Sequence, residues 1–349
     1  MFYRAYQSYR QPGSCIKPLN VYTPYLQLGN TPDTKVTDSQ IDGGPANADA
    51  SYAGEMTLTD AVKWSKNTVA WNIYQQITPK TGSSFLIKMG FHKIWVDKDY
   101  NAGALGGFTY GVTTEEMAGG YAALANDGVY RKATCIRLIV DASNKTVVNE
   151  TNRNSKVYDK SASRMMTQML REVVLSGTGT SANVENAVVA GKTGTTNASK
   201  DVWFCGYSRY YTTTVWAGYD YPKEMSGVNS RVNAIFKDFM TAVHTNLPVT
   251  DFSTVTQQTT QPETTAAVQE ETQSLPQETT AIVPEMETTG IEQVTPQQVP
   301  STTTQVPTTT PYQRWTTAPA QPKTTAPMQY GDIDATTRTD PDATARGEW

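Results

Sequence analysis

The chain has 349 residues, 38% of them hydrophobic, with 29 Lys+Arg against 33 Asp+Glu and a net charge of −4, enough for one or two domains with a sizeable core. The charge is uneven, 25 basic and 20 acidic side chains in residues 1–245 against 4 and 13 in the remainder, yet no Lys/Arg cluster with interleaved aromatics marks a nucleic-acid groove. Cys15, Cys135 and Cys205 are an odd, widely spaced set that argues against a disulfide framework or a zinc site, and neither a transmembrane-length apolar run nor a signal-peptide layout is present.

In chain order, "SCIKPLNVYTPYLQLG" is predicted to be a helix ended by Gly29, followed by a polar loop from about Asn30 to Gly54. "TLTDAVKWSKNTVAWNIYQQIT" has helical spacing with Thr59 as N-cap and a break at Ser65-Lys66-Asn67. Helix continues through "TPKTGSSFLIKMGF" to Gly90, and after a Gly-rich loop a further helix starts near Thr113 or Thr114. "CIRLIVDASNKTVVNE" alternates around Asn144-Lys145 like a β-hairpin. "KSASRMMTQMLREVVLSG" is an amphipathic helix stopped by Gly177. Three strands follow, "AVVAGKTGTT", "DVWFCGYSRY" and "YTTTVWAGYD", the last two joined by a turn at "SRYY". "NSRVNAIFKDFMTAV" is the last helix. Strands clustered late between helices imply an α+β fold, an antiparallel sheet flanked by helices. From residue 246 to 349 the composition turns to Thr, Pro, Gln and Glu with few large apolar residues. Such a segment cannot offset its ordering entropy by burial, so a disordered acidic tail is expected behind a domain at residues 1–245.

Three polar signals stand in order: Ser14-x-x-Lys17, Ser65-x-Asn67 and Lys192-Thr193-Gly194-Thr195. Serine is a poor nucleophile until its proton is removed, and lysine is a base only when neutral. On a helix, positions three apart share a face, so Ser14 and Lys17 are expected within hydrogen-bond reach. Burial and a second cation, Lys192, would both disfavour charge on Lys17. His92 and His244 sit in no motif, which makes a Ser-His-Asp triad improbable. Cys15 would point about 100° away from Ser14 on a helix and reads as a small buried hydrophobe.

The trio in this order, its third member on a strand, is the known signature of penicillin-binding proteins and related β-lactamases. Stretches such as "QSYRQPGSCIKPL", "ALGGFTYGVTTEEMAGGYAALANDGVY", "MLREVVLSGTG" and "GKTGTTNASKDVWFCGYSRYYTTTVWAGYD" extend the likeness. Most of residues 1–245 resembles the transpeptidase domain of class A (bifunctional) penicillin-binding proteins, with Cys15 standing where the family has a small or hydroxyl residue. The resemblance implies a serine D,D-transpeptidase that cross-links peptidoglycan stem peptides through an acyl-enzyme on Ser14 and is acylated there by β-lactams. Lys17 would be the base, Ser65 would relay a proton to the leaving amine, and Asn67 would hold the peptide amide. Lys192, Thr193 and Thr195, with Gly194 between them, would bind the terminal carboxylate, and the backbone N–H groups of Ser14 and Thr195 would form the oxyanion hole. No cofactor and no metal is implied. The implied location is the extracytoplasmic face of the cell membrane, with cell-wall, divisome or elongasome proteins as partners and membrane association only through an N-terminal anchor absent from the chain.

Two other readings compete. One is a D,D-carboxypeptidase or β-lactamase on the same fold; Glu150, with Asn154 four residues on, has the spacing of a deacylating glutamate but ends the predicted hairpin and reads as solvated. The other is an inactive, truncated wall-binding scaffold. In the family, the strands that complete the sheet, a glycosyltransferase domain and the anchor precede the Ser-x-x-Lys helix, whereas this chain starts just before it. An unpaired apolar sheet edge and poor stability of the chain alone are then expected.

Overall fold

The computed structural model describes residues 3–149 and 154–252. After a short helix, α1 (Arg4–Gln7), the chain enters one helical run that changes pitch twice: a 3-10 turn at Gly13–Ile16, a π turn at Pro18–Tyr22 and α2 (Thr23–Leu26). The sequence predicts one uninterrupted helix here, and proline is the reason it is not uniform. Pro18 has no N–H for the Ser14 carbonyl, which instead takes the N–H of Lys17 in a 3-10 bond. In the π turn, Thr23 N–H bonds the Pro18 carbonyl. Pro24, five residues beyond Leu19, has no N–H to continue the π pattern to the Leu19 carbonyl. The buried Tyr158 hydroxyl fills that place at 2.6 Å, and the Tyr121 hydroxyl likewise bonds the Cys15 carbonyl at 2.8 Å.

The polar stretch after Gly29 is not all loop. It holds a hairpin, β1 (Lys35–Asp38) paired antiparallel with β2 (Gly54–Thr57), too short and polar to betray itself by alternation. Next come α3 (Leu58–Lys63), α4 (Asn67–Ile77) and α5 (Pro79–Lys88). The cap of α3 is Thr57, not Thr59: the Thr57 hydroxyl accepts from Asp60 N–H at 3.1 Å, while the Thr59 hydroxyl bonds the Pro32 carbonyl. α6 (Thr114–Ala125) begins with a reciprocal capping box between Thr113 and Glu116. β3 (Val129–Arg131) pairs with β6 (Asn154–Lys156), and the predicted hairpin is β4 (Leu138–Val140) with β5 (Thr146–Asn149). The helix α7 (Lys160–Ser176) ends at Gly177.

The main sheet has the order β7-β8-β9, formed by β7 (Ala190–Thr195), β8 (Asp201–Tyr207) and β9 (Thr212–Gly218), all antiparallel. Strand β8 is buried throughout and alternates between two apolar layers. Trp203, Cys205 and Tyr207 face the core that contains Cys15, Ile16 and Leu19 of the helical run. Val202 and Phe204 face the other way, toward Val232, Phe236 and Met240 of α8 (Val228–Val243). Helices thus cover both faces, the α+β arrangement that the late cluster of strands implies. Among the described residues β9 has no strand on its outer side. Its seven residues are all half-buried, and a groove lined by Thr213, Val215, Ile235 and Phe239 runs beside it.

Candidate active site

Ser14 lies on the 3-10 turn, where residues three apart eclipse, so Lys17 follows directly beneath it. The turn is pressed against β7: a Cβ on Gly13, whose φ is +52°, would come 2.8 Å from the Thr195 carbonyl oxygen, and one on Gly194 would come 2.5 Å from that of Pro12. Cys15 closes the same contact from within the core, its Sγ donating to the Lys192 carbonyl at 3.1 Å. Sequence reasoning correctly treats it as packing.

The edge of β7 away from β8 forms one wall of the site. Thr196 N–H bonds the Asp201 carbonyl at 3.0 Å and sets the phase of the ladder. By antiparallel alternation Thr193 and Thr195 then sit in non-hydrogen-bonded pairs, with N–H and C=O turned outward from β8. The Thr193 hydroxyl shares a 2.8 Å hydrogen bond with that of Thr178, and the Thr195 hydroxyl donates to Asn229 Oδ1 at 3.3 Å.

The opposite wall is the turn between α3 and α4, the predicted break at Ser65-Lys66-Asn67. Two buried lysines converge on it. Lys192 Nζ donates to Ser65 Oγ at 2.8 Å and to the Thr193 carbonyl at 3.1 Å. Lys17 Nζ donates to the Ser65 carbonyl at 2.9 Å and Asn67 Oδ1 at 2.8 Å, with the Lys66 carbonyl farther away at 3.4 Å. No hydrogen bond joins Lys17 to the Ser14 hydroxyl, so the direct contact suggested by the spacing is replaced by these two short bonds. A neutral amine has two N–H groups, which those bonds occupy, leaving its lone pair unspent.

Neither lysine faces a carboxylate. Burial drives the Lys17 ammonium well below the ordinary lysine range, and the nearby charge of Lys192 pushes the same way. Burial also lowers Lys192 to about 8, against the opposing influence of the Cys15 and Cys205 thiols. Asn67 keeps one amide hydrogen in hand, since Nδ2 gives only one bond, to the Ala46 carbonyl at 2.9 Å.

All eight residues singled out from the sequence, Ser14, Lys17, Ser65, Asn67, Lys192, Thr193, Gly194 and Thr195, meet at one cleft of about 1300 Å³ or directly beneath its floor. Sequence reasoning passed over Thr178 and Asn229, which steady the threonines, and the loop around Asn47, whose residues 45–49 line the cleft. Thr178, in "SGTG", directly follows the predicted helix stop at Gly177 and carries no motif of its own; the loop carries no recognisable spacing. Glu150 and the sequence from residue 253 lie outside the described residues.

Residues 1–241 match the family described as the penicillin binding protein transpeptidase domain. The chain is 36% identical over 234 residues to penicillin-binding protein 4 of Bacillus subtilis, covering 66% of this chain and 37% of that protein. It is 37% identical over 267 residues to penicillin-binding protein 1A of Aquifex aeolicus, covering 72% and 35%. The chain therefore spans about a third of the length of these relatives. Among solved structures it resembles penicillin-binding protein 1A of Haemophilus influenzae with a TM-score of 0.59 and 25% identity, covering 72% of this chain and 45% of that one. The fold is also that of PonA1 from Mycobacterium tuberculosis, with a TM-score of 0.61, 22% identity and 73% of each chain covered. With family match, relatives and fold in agreement, the chain belongs to the transpeptidase family of penicillin-binding proteins.

Proposed function

We propose that the chain is a serine D,D-transpeptidase acting on peptidoglycan stem peptides, with Ser14 as nucleophile. The observation that carries this reading is the convergence of two buried, unpaired lysines on Ser65 beside Ser14. Lys17, its charged form disfavoured by burial and by Lys192, takes the Ser14 proton as Oγ attacks the penultimate D-Ala carbonyl. The N–H groups of Ser14 and Thr195 receive the developing oxyanion. As the C–N bond breaks, the proton passes through the Ser65 hydroxyl to the departing D-Ala amine, and the acyl group stays on Ser14. Attack by an amine of a second stem peptide forms the new amide and breaks the ester to Ser14; the amine's proton, taken up by Lys17, passes to the departing Oγ and restores the free serine and the neutral lysine. An extended peptide laid along the open edge of β7 would give its carboxylate to Lys192, Thr193 and Thr195, and its amide to Asn67.

A β-lactam acylates the same hydroxyl; a PonA1 structure has been solved in complex with penicillin V. The activity would be exerted at the extracytoplasmic face of the cell membrane, although no described helix is long and apolar enough to cross one. The test is intact-mass spectrometry after penicillin treatment of the wild-type chain and Ser14→Ala. A stoichiometric adduct lost only in the variant supports the reading, and an adduct that persists refutes it. Release of the adduct over hours fits a transpeptidase; turnover in seconds would fit a β-lactamase.

A further inference from the structure

The amino end of α4, which carries Asn67, lacks a cap of its own. Lys66 at the N-cap makes no side-chain capping bond, because its ammonium turns away to Asp38 at 3.3 Å, Asp49 at 3.0 Å and Ser51. The first free N–H groups of the helix go instead to a residue from the β1–β2 connection. Asn47 Oδ1 accepts from Asn67 N–H at 2.7 Å and from Thr68 N–H at 3.3 Å. Asn47 Nδ2 donates to Asp38 Oδ1 at 2.6 Å and to the Ser51 carbonyl at 2.8 Å. Asp38 is fully buried and also takes the Thr68 hydroxyl and Ala53 N–H. Every polar group of the Asn47 side chain is thus engaged, and its neighbour Ala46 receives the Asn67 side-chain amide.

From this we infer that Asn47 is a positioning residue for acyl transfer, a cap supplied from the cleft wall that fixes the Ser65–Asn67 turn against Lys17. The inference rests on the functional reading above. Ser65 stands at φ +59°, a left-handed conformation that a non-glycine residue holds only when its surroundings over-determine it. The neighbouring backbone supplies two restraints, Ser65 N–H to the Val62 carbonyl and Lys66 N–H to that of Ala61. Asn47 supplies the restraint on the far side of the turn. Without it the Asn67 backbone is released, and with it the Oδ1 that holds Lys17 Nζ at 2.8 Å. The β7 wall, which takes the carboxylate, does not depend on Asn47, so binding should weaken only slightly through Asn67 while the chemical step slows.

The experiment is stopped-flow acylation of the full chain by a fluorescent penicillin, separating the dissociation constant from the acylation constant and normalising to the acylatable fraction. For Asn47→Ala the acylation constant is expected to fall about tenfold or more with the dissociation constant changed by less than about threefold. A residue that only supported the fold would reduce the melting temperature and the acylatable fraction, and the surviving molecules would acylate at the wild-type rate. Thr113→Ala, which removes the cap of α6 away from the cleft, should show that second pattern. An Asn47→Ala acylation constant within about twofold of wild type would overturn the inference. If Asn47→Ala gives no folded protein, Asn47→Ser, whose hydroxyl still accepts one N–H, is read by the same two criteria. A wild-type chain with no adduct on Ser14 would overturn the functional reading and this inference with it; an adduct with an unslowed variant overturns the inference alone.

Discussion

Replacing Lys192 by methionine should make the protein more stable at neutral pH and inactive. Lys192 is fully buried and has two neutral partners, Ser65 Oγ at 2.8 Å and the Thr193 carbonyl at 3.1 Å. Burial takes it from 10.5 to about 8, and at about 1.4 kcal/mol per unit the buried ammonium costs about 3 kcal/mol at pH 7. Losing its two hydrogen bonds gives back about 1–2 kcal/mol, so Lys192→Met should gain about 1–2 kcal/mol, or roughly 2–8 °C in melting temperature. The relief of Lys17, whose charge Lys192 opposes, has the same sign.

The pH dependence is the sharper test. Between 10.5 and about 8 the unfolded lysine holds a proton that the native one has shed, so wild-type stability rises with pH relative to the variant across this window and the gap is constant below it. Urea unfolding of both proteins from about pH 7 to about pH 10, beside penicillin labelling, measures this. A variant less stable at neutral pH, or a gap unchanged at the alkaline end, would refute the reasoning.

Three further outcomes follow from the same geometry. Lys17→Arg places a side chain that stays charged where a neutral base is needed, and penicillin acylation is expected to fall about a hundredfold or more. In the wild type the acidic limb of acylation should lie well below 10.5, and a limb at that ordinary lysine value would contradict the assigned base. Gly194→Ala would set a Cβ 2.5 Å from the Pro12 carbonyl and 2.8 Å from Cys15 Sγ. Such overpacking costs about 1–3 kcal/mol and moves Ser14 relative to Thr195, so both melting temperature and acylation rate should drop; an unchanged melting curve would show that the contact yields freely.

Much of this protein was legible in its residue order. Alternation around Asn144-Lys145 marked the β4–β5 hairpin, apolar runs between turns marked β7 to β9, helical spacing marked α3 to α8, and three short motifs named the residues that converge on the cleft, because each signal is local to one element. Local features were missed for local reasons: the β1–β2 hairpin and the three-residue β3–β6 pair are too short to alternate visibly, the cap of α3 falls at Thr57 because Thr59 turns to Pro32, and Pro18 changes the helical pitch through a hydrogen bond it fails to make. What no reading of the chain could supply is the company each side chain keeps. Lys17 turns to Ser65 and Asn67 rather than to Ser14, Lys192 bonds a hydroxyl 127 residues away, and the cap of α4 comes from Asn47, 20 residues upstream. These contacts depend on which buried donor finds an acceptor once the core has closed. Desolvation and hydrogen bonding act through distance in space, so only the tertiary structure decides them.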